Sequence, residues 1–385
     1  MTPPTSPRRP ASRALLPLTI PGSWLYHAMI NARNRHYDQP GAQVKLGRPV
    51  ISIGNITTGG TGKSPMTAWV IRTLLERGHK PGVLMRGYLG GHARYRLDPE
   101  YDGPPLPRAV GSDEYLEMLF RFGDDFPVAP DPDRIRGAKY LQHHPEIDVF
   151  VLDDGFQHRR VARDLDIVLI DATQQTFAQR LLPAGHLREP LENLKRADAV
   201  IVMRAGEVND LLACEIKKHH GKPPLAWANH RWARLDRFHG GDEPLPEPVE
   251  SLAGMRIMTV LGVGNPGSIE RQAEAAGATI ASRFPARDHQ LYDAALAGRM
   301  RAAASDDGVD AILTTTKDWV KLRTLIDWST WTTPLLVPRL EIKFVNGEDA
   351  LMGQLLETIK SWHRNDESTP PTDGGGGDAR ETNDH

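Results

Sequence analysis

The sequence predicts an α/β fold: a mostly parallel sheet with helices on both faces, and a second, smaller α/β domain after it. Three observations predict this. Short apolar, β-rich runs alternate with helical stretches along the 385 residues. A glycine-rich turn joins one of those runs to the helix that follows. A later apolar run ends in two adjacent aspartates.

Strand-like runs fall at 50–53, 82–85, 148–152, 166–170, 199–203, 256–261, 310–314 and 334–337. Helical patterns lie at 65–77, 133–143, 207–219, 268–276, 291–304 and 347–362. Strands that alternate with helices need crossover connections, so their sheet is mostly parallel. The stretch 232–253, with Pro244, Pro246 and Pro248, reads as a loop or domain junction. The chain thus divides into a basic segment 1–48, a first domain 49–230, a junction 231–253, a second domain 254–363 and a tail 364–385.

The first strand, Val50-Ile51-Ser52-Ile53, runs into Gly54-Asn55-Ile56-Thr57-Thr58-Gly59-Gly60-Thr61-Gly62-Lys63-Ser64-Pro65. A strand, a glycine-rich turn and a helix opening with Gly-Lys-Ser form the layout of a phosphate-binding loop, so the fold is P-loop NTPase-like. Backbone N–H groups from Thr57 to Ser64 would surround phosphates. The Lys63 ammonium reaches the terminal phosphates and the Ser64 hydroxyl suits Mg²⁺. The usual pattern has glycine where this chain has Thr57.

The second motif is Val149-Phe150-Val151-Leu152-Asp153-Asp154-Gly155-Phe156-Gln157-His158. A buried strand that ends in carboxylates sets them at the carboxyl edge of the sheet, where ligands of such folds collect. There they can bind Mg²⁺ directly or through water. By itself the pattern also fits a strand followed by an acidic turn.

Composition bounds the rest. Apolar residues at 39% and charged residues at 25% fit a soluble globular chain. The net charge of −2 gives no electrostatic footprint for nucleic acid. Cys214 is the single cysteine, so no intramolecular disulfide forms, which suits a reducing compartment. No apolar run reaches the ~18 residues of a spanning helix. Pro10, Pro17 and Pro21 spoil the first apolar region as a signal peptide. The tail 364–385 sets Arg364 and Arg380 against six acidic residues and is almost free of apolar ones, the signature of disorder.

Residues 1–48 carry Arg8, Arg9, Arg13, Arg33, Arg35, Lys45 and Arg48 against Asp38 alone. Within them, 23–37 reads as a helix with Ser23 as its N-cap. Trp24, Leu25, Ala28, Met29 and Ala32 share one face. Such a helix either packs on the domain surface or lies in a membrane interface.

Both motifs, with Arg86-Gly87-Tyr88 between them, resemble the tetraacyldisaccharide 4′-kinase (lipid A kinase) family. Further matches are Ser112-Asp113-Glu114, where that family usually has Gly-Asp-Glu, and Asp133-Arg134. Leu182-Pro183-Ala184-Gly185, Arg188-Glu189-Pro190, Asp288-His289 and Thr316-Lys317-Asp318 follow in order. The Thr-initiated loop is normal there, and the segment 23–37 resembles the family's membrane-associated helix. The resemblance spans roughly 15–362.

It implies transfer of the γ-phosphate of ATP, with Mg²⁺, to the 4′-hydroxyl of an acylated disaccharide 1-phosphate, yielding lipid IVA. It implies a lipid partner and peripheral association with the cytoplasmic face of the inner membrane. It assigns Asp113 as catalytic base and His289 as its partner, with Lys63 neutralising the transferred group. Ser64, Glu114, Asp153, Asp154 and Gln157 are its candidates around the metal. Arg86, Tyr88, Arg134 and Arg188 are its candidates around phosphates or substrate. On pattern alone, Asp113 also fits an N-cap for a helix at 114–122.

Two other motifs compete. Gly262-Val263-Gly264-Asn265-Pro266-Gly267 is a literal G-x-G-x-x-G between a strand and a helix, although Pro266 removes an N–H from any phosphate cradle. Thr316-Lys317-Asp318 faintly matches a guanine-specifying motif but lacks the intervening residue. A different ATP-dependent enzyme on the same loop architecture is the remaining alternative.

Overall fold

A computed structural model describes residues 16–86, 113–122, 126–287 and 291–367. The first half runs as helix α1 (Leu16–Tyr37), strand β1 (Val50–Asn55), α2 (Lys63–Glu76), β2 (Pro81–Met85), α3 (Asp113–Phe122) and β3 (Val128–Pro130). It continues through α4 (Arg134–Leu141), β4 (Val149–Asp153), β5 (Leu165–Asp171), β6 (Ala199–Met203), α5 (Asp210–His220) and β7 (Ala226–Phe238). The second half holds β8 (Leu245–Glu247), β9 (Arg256–Val260), α6 (Pro266–Ala275), β10 (Thr279–Phe284) and α7 (Ala294–Asp306). It ends with β11 (Ala311–Thr314), α8 (Thr316–Leu322), β12 (Leu335–Asn346) and α9 (Glu348–Glu367).

All the strands belong to one twelve-stranded sheet, in the order β10-β9-β11-β12-β7-β6-β5-β1-β4-β2-β3, with β8 paired to β7. Two parallel blocks meet at the antiparallel pair of β7 and β12. These two strands are long, at 13 and 12 residues. The loop expected at 232–253 is therefore corrected. Its first part is the end of β7, and the three prolines fall in and around the short β8. The signal was hidden because β7, AWANHRWARLDRF, carries four charged side chains, while only part of it is fully buried. Its buried Asp236 is ion-paired to Arg234 at 3.0 Å and to Arg339.

In the first block, β1, β4, β5 and β6 are buried along their whole length. That explains their unbroken apolar runs, since parallel strands covered on both faces have no polar side. One face packs Ile51, Ile53, Val151 and Ile167 against Met66, Val70, Ile71 and Leu74 of α2 and Leu351, Leu355 and Ile359 of α9. The other face packs Val50, Leu84, Phe150 and Leu152 against α4, and Val168, Val200 and Val202 against Ile216 of α5. The second block has its own cores, around Trp319 with Phe238 and around Ile257 with Leu313.

β1 lies between β4 and β5, with Ile53 beside Asp153 and Asn55 beside Leu169. The chain leaves β1 for β2 past β4, and β5 lies on the opposite side. Turns leaving the carboxyl ends of β1 and β4 therefore converge at a switch point of the sheet.

The helix at the N-terminus is longer than expected, and Ser23 lies inside it rather than capping it. The Ser23 Oγ instead donates to the Leu181 carbonyl at 2.9 Å and accepts from the Ala184 N–H at 3.1 Å.

Candidate active site

The turn after β1 is held in place residue by residue. Gly62, at φ 89°, sits just before α2, and Met66 N–H donates to its carbonyl at 3.1 Å. A Cβ there would lie 2.6 Å from His230 Nε2, so the position needs glycine on both counts. At the other end Gly54 presses on Phe156, whose backbone nitrogen would lie 2.7 Å from a Cβ. The turns after β1 and β4 thus touch without a side chain between them. Asn55 Nδ2 donates to Thr61 Oγ1 at 2.9 Å and closes the loop across its base.

A second segment, 181–189, zips onto the loop. Arg188 N–H donates to the Ile56 carbonyl at 2.7 Å and Thr58 N–H to the His186 carbonyl at 2.7 Å. Thr57 and Leu187 form an antiparallel bridge between them. The Thr58 hydroxyl also meets His186 Nδ1 at 3.0 Å. Thr57 is accordingly buried as part of this bridge. On the far side, Arg204 donates to the Gly60 carbonyl at 2.5 Å and pairs with Asp171. Arg204 has φ 58°, a left-handed backbone that a bulky residue rarely adopts.

Lys63 and Ser64 open α2 at the end of this loop. Lys63 Nζ lies 3.6 Å from Asp154 Oδ1. Arg188 grips the same carboxylate with two bonds, 2.9 and 3.2 Å, and reaches Asn55 Oδ1 at 3.2 Å. Burial opposes charge on Asp154, but Lys63, Arg188 and Arg134 together hold its carboxyl below the usual range. Its φ of 51° is a second left-handed strain, tolerated because three cations over-determine the side chain.

Asp153 ends β4, and its Oδ1 accepts from Thr67 Oγ1 at 2.8 Å. Arg134 is buried at the start of α4, whose N-cap is Asp133. It donates to the carbonyls of Asp131 at 2.8 Å and Asp153 at 3.4 Å. Burial lowers its pKa to about 10; Asp153 and Asp154 oppose the shift, and Arg86 adds to it. Arg86 itself is exposed just past β2. Gln157 donates to the Asn55 carbonyl at 2.8 Å, and its Oε1 is buried with no hydrogen-bond partner among the described residues.

Lys63, Arg134 and Arg188 thus gather around Asp153 and Asp154, with the phosphate loop beside them and Arg86 near enough to Arg134 to lower its pKa. Asp113 and Glu114 start α3, but their side chains lie outside the described ones. Tyr88 and His289 lie outside the described residues altogether.

Sequence reasoning missed Asn55, Thr67, Asp171, His186, Arg204 and His230. For Asp171 a signal existed: β5 runs apolar into aspartate just as β4 does. Arg204 and His230 carry no local signal, because only the sheet order sets the ends of β6 and β7 beside the loop. The rival glycine motif has a structural reason instead. Gly262 N–H donates to Asp318 Oδ2 at 2.9 Å, and a Cβ there would lie 2.4 Å from Asp318 Oδ1. Asp318 is buried and also accepts from Thr315 at 2.7 Å and Tyr292 at 3.0 Å, so its carboxylate braces that turn rather than facing a base.

A family profile described as tetraacyldisaccharide-1-P 4′-kinase matches residues 13–360. The tetraacyldisaccharide 4′-kinase of Geobacter metallireducens is 36% identical over 280 residues, covering 72% of this chain and 80% of that protein. That of Chlorobium limicola is 30% identical over 365 residues, covering 91% and 100%. Among solved structures, LpxK from Aquifex aeolicus in complex with ATP is similar at a TM-score of 0.61 and 26% identity, covering 90% of this chain and 98% of that one. The profile spans nearly the whole chain, including both aspartate and phosphate-loop motifs: the chain belongs to the tetraacyldisaccharide-1-P 4′-kinase family.

Proposed function

We propose that this protein phosphorylates the 4′-hydroxyl of tetraacyldisaccharide 1-phosphate with ATP, giving lipid IVA in lipid A biosynthesis. The observation that carries the reading is the set of three cations, Lys63, Arg134 and Arg188, around Asp153 and Asp154 at the mouth of the phosphate loop. A phosphoryl group in transfer spreads charge over its equatorial oxygens, so catalysis is mostly positioning and electrostatic stabilisation. Lys63 neutralises that charge, and backbone N–H groups from Gly59 to Ser64 receive the donor's phosphates, the Thr58 N–H being taken by the His186 carbonyl. Arg188 and Arg134 offer planar, multidentate donors to phosphate oxygens. Arg86, just past β2, and Tyr88 are assigned to substrate or phosphate by the family motif.

The donor set fits a small hard cation. Ser64 brings a hydroxyl, Asp153 and Asp154 bring carboxylates, and Gln157 brings a buried Oε1 without a partner among the described residues. Those four, with Glu114, would hold Mg²⁺, which supplies charge neutralisation at the phosphate oxygens.

Asp113 serves as the base that accepts the hydroxyl proton, with His289 hydrogen-bonded to orient it. The packing of α3 on α8 supports this pairing. Phe120 of α3 lies against Phe238, which stacks on Trp319 of α8, so α3 faces the second half of the chain. The cores around Trp319 and Ile257 support a second lobe joined to the first, 49–230, through β7 and β12, although α9, within the 254–363 expected for that lobe, packs on the core of the first.

α1 brings the enzyme to its lipid. No helix among the described residues is long and apolar enough to cross a membrane. Yet Trp24, Leu25 and Met29 are 71%, 66% and 60% exposed on one face of α1. A peripheral, interfacial position on the inner membrane's cytoplasmic face accounts for that face.

The test is transfer of labelled γ-phosphate from ATP to tetraacyldisaccharide 1-phosphate in detergent micelles. Wild type should label the lipid, and Lys63→Ala and Asp113→Ala should each lose most of the activity. Nucleotide binding without any lipid labelling would sink the reading.

A further inference from the structure

The segment 181–189 touches two things at once. On one side it forms the antiparallel zipper with Ile56, Thr57 and Thr58, and Arg188 grips Asp154. On the other side it is bound by α1. The Tyr26 hydroxyl donates to the Arg188 carbonyl at 2.9 Å. Ser23 bridges the Leu181 carbonyl and the Ala184 N–H. Arg33 and Asn34 hold the buried Glu189 at 2.6 and 3.1 Å. The residues of α1 that make these contacts, Ser23, Tyr26, Arg33 and Asn34, lie on the side away from Trp24, Leu25 and Met29.

We propose that Tyr26 is a positioning residue for the phosphate site, and that α1 couples lipid docking to nucleotide affinity through residues 181–189. The backbone of Arg188 receives Tyr26 at its carbonyl and donates its N–H to Ile56, the residue after β1, while its guanidinium fixes Asp154. A shift of α1 at the membrane surface therefore moves the same few atoms that set the loop and the carboxylate. Coupling of this kind is reciprocal: whatever factor lipid adds to nucleotide affinity, nucleotide must add to lipid affinity. This inference rests on the kinase reading for its biological meaning, but not for its measurement.

Tyr26→Phe removes one hydroxyl and keeps the ring. Binding of a fluorescent ATP analogue without lipid should weaken about three- to tenfold, the loss of one hydrogen bond. KM for ATP should rise in step, while vesicle binding measured without nucleotide stays unchanged. Ser23→Ala, at the other end of the segment, should show the same split. Trp24→Ala should lose binding to vesicles of phosphatidylethanolamine and phosphatidylglycerol, yet keep wild-type nucleotide affinity without lipid. In wild type those vesicles should tighten nucleotide binding, and the factor should shrink in Tyr26→Phe. Unchanged nucleotide affinity in both Tyr26→Phe and Ser23→Ala would overturn the proposal, with the kinase reading intact. Wild type that binds nucleotide but never labels lipid would sink the kinase reading, while the nucleotide and vesicle affinities still decide the coupling.

Discussion

Helices α1 and α2 both adjoin the phosphate loop, α2 by opening at its end and α1 through residues 181–189, and are built in opposite senses. α2 buries Met66, Val70, Ile71 and Leu74 and turns Arg72, Glu76 and Arg77 outward. Among its described side chains, α1 buries Ser23 and Asn34 with only Ile30 for apolar company, and turns Trp24, Leu25, Ala28, Met29 and Ala32 outward. The first pattern is what water selects, at about 1.5–3 kcal/mol for each large apolar side chain buried. The second pattern forgoes that gain and is held by hydrogen bonds to buried backbone and Glu189 instead. A helix that keeps its polar side against the protein and its apolar side away is matched to a solvent other than water. One helix is therefore part of the fold's interior, and the other presents an exposed apolar face, the one proposed above to meet lipid.

That contrast can be broken at several strengths. The largest effect belongs to the catalytic end of α2. Lys63→Ala should cut phosphate transfer by about a thousandfold, the scale of removing one charge from a transition-state site. Vesicle binding should not change. An equal loss of vesicle binding would mean that the two helices are not separable.

Next comes the interior face. Leu74→Ala empties space in a core with no exposure and should cost about 2–5 kcal/mol in urea unfolding. A cost below 1 kcal/mol would show that α2 is not the structural helix described above. Gly62→Ala should cost about 1–3 kcal/mol, because it combines a positive φ with a Cβ against His230. Its KM for ATP should also rise, since the strain sits in the loop itself.

Much of this was legible in the sequence. The eight apolar runs became strands because buried parallel strands leave no room for polar interruption. The phosphate loop and the Asp153–Asp154 turn were legible because glycines and strand-end carboxylates are local signals. β7 was illegible for the opposite reason: two of its charges, Asp236 and Arg231, meet Arg339 and Glu341 of β12, a hundred residues away. β10 was missed as well, an edge strand containing serine and arginine that is nowhere fully buried. At the site, Lys63, Asp153, Asp154 and Arg188 stood out in motifs, whereas Arg204 and His186 act through backbone carbonyls and contacts that no motif encodes.

Acid sharpens the comparison through histidines that the α2 side of the site has buried. Burial, with Arg204 nearby, lowers the pKa of His230 to about 4. Burial, with Arg134 and Arg163, does the same to His158. Both folded values lie below the unfolded value of about 6.5, so the unfolded chain binds more protons in between. Stability should rise with pH through the window from about 4 to 6.5 and be lost as pH falls through it. Each histidine should cost about 1 kcal/mol between pH 7 and pH 5.5. His230→Asn should flatten its share of the slope of urea midpoint against pH. A slope unchanged by that substitution would mean His230 is not held neutral.

The smallest effect on the fold is the most telling. Leu25→Ser, on the outward face of α1, should change stability in water by less than about 0.5 kcal/mol, since an exposed leucine has little to lose. At a bilayer the same substitution removes a side chain worth about 1.5–3 kcal/mol of burial, so vesicle partition should fall tenfold or more. Leu74→Ala should do the reverse, unfolding the protein without altering the partition of what stays folded. A Leu25→Ser protein that unfolded readily in water would mean that this face packs against protein. One that kept full vesicle binding would leave the exposed apolar stripe of α1 without a solvent to explain it.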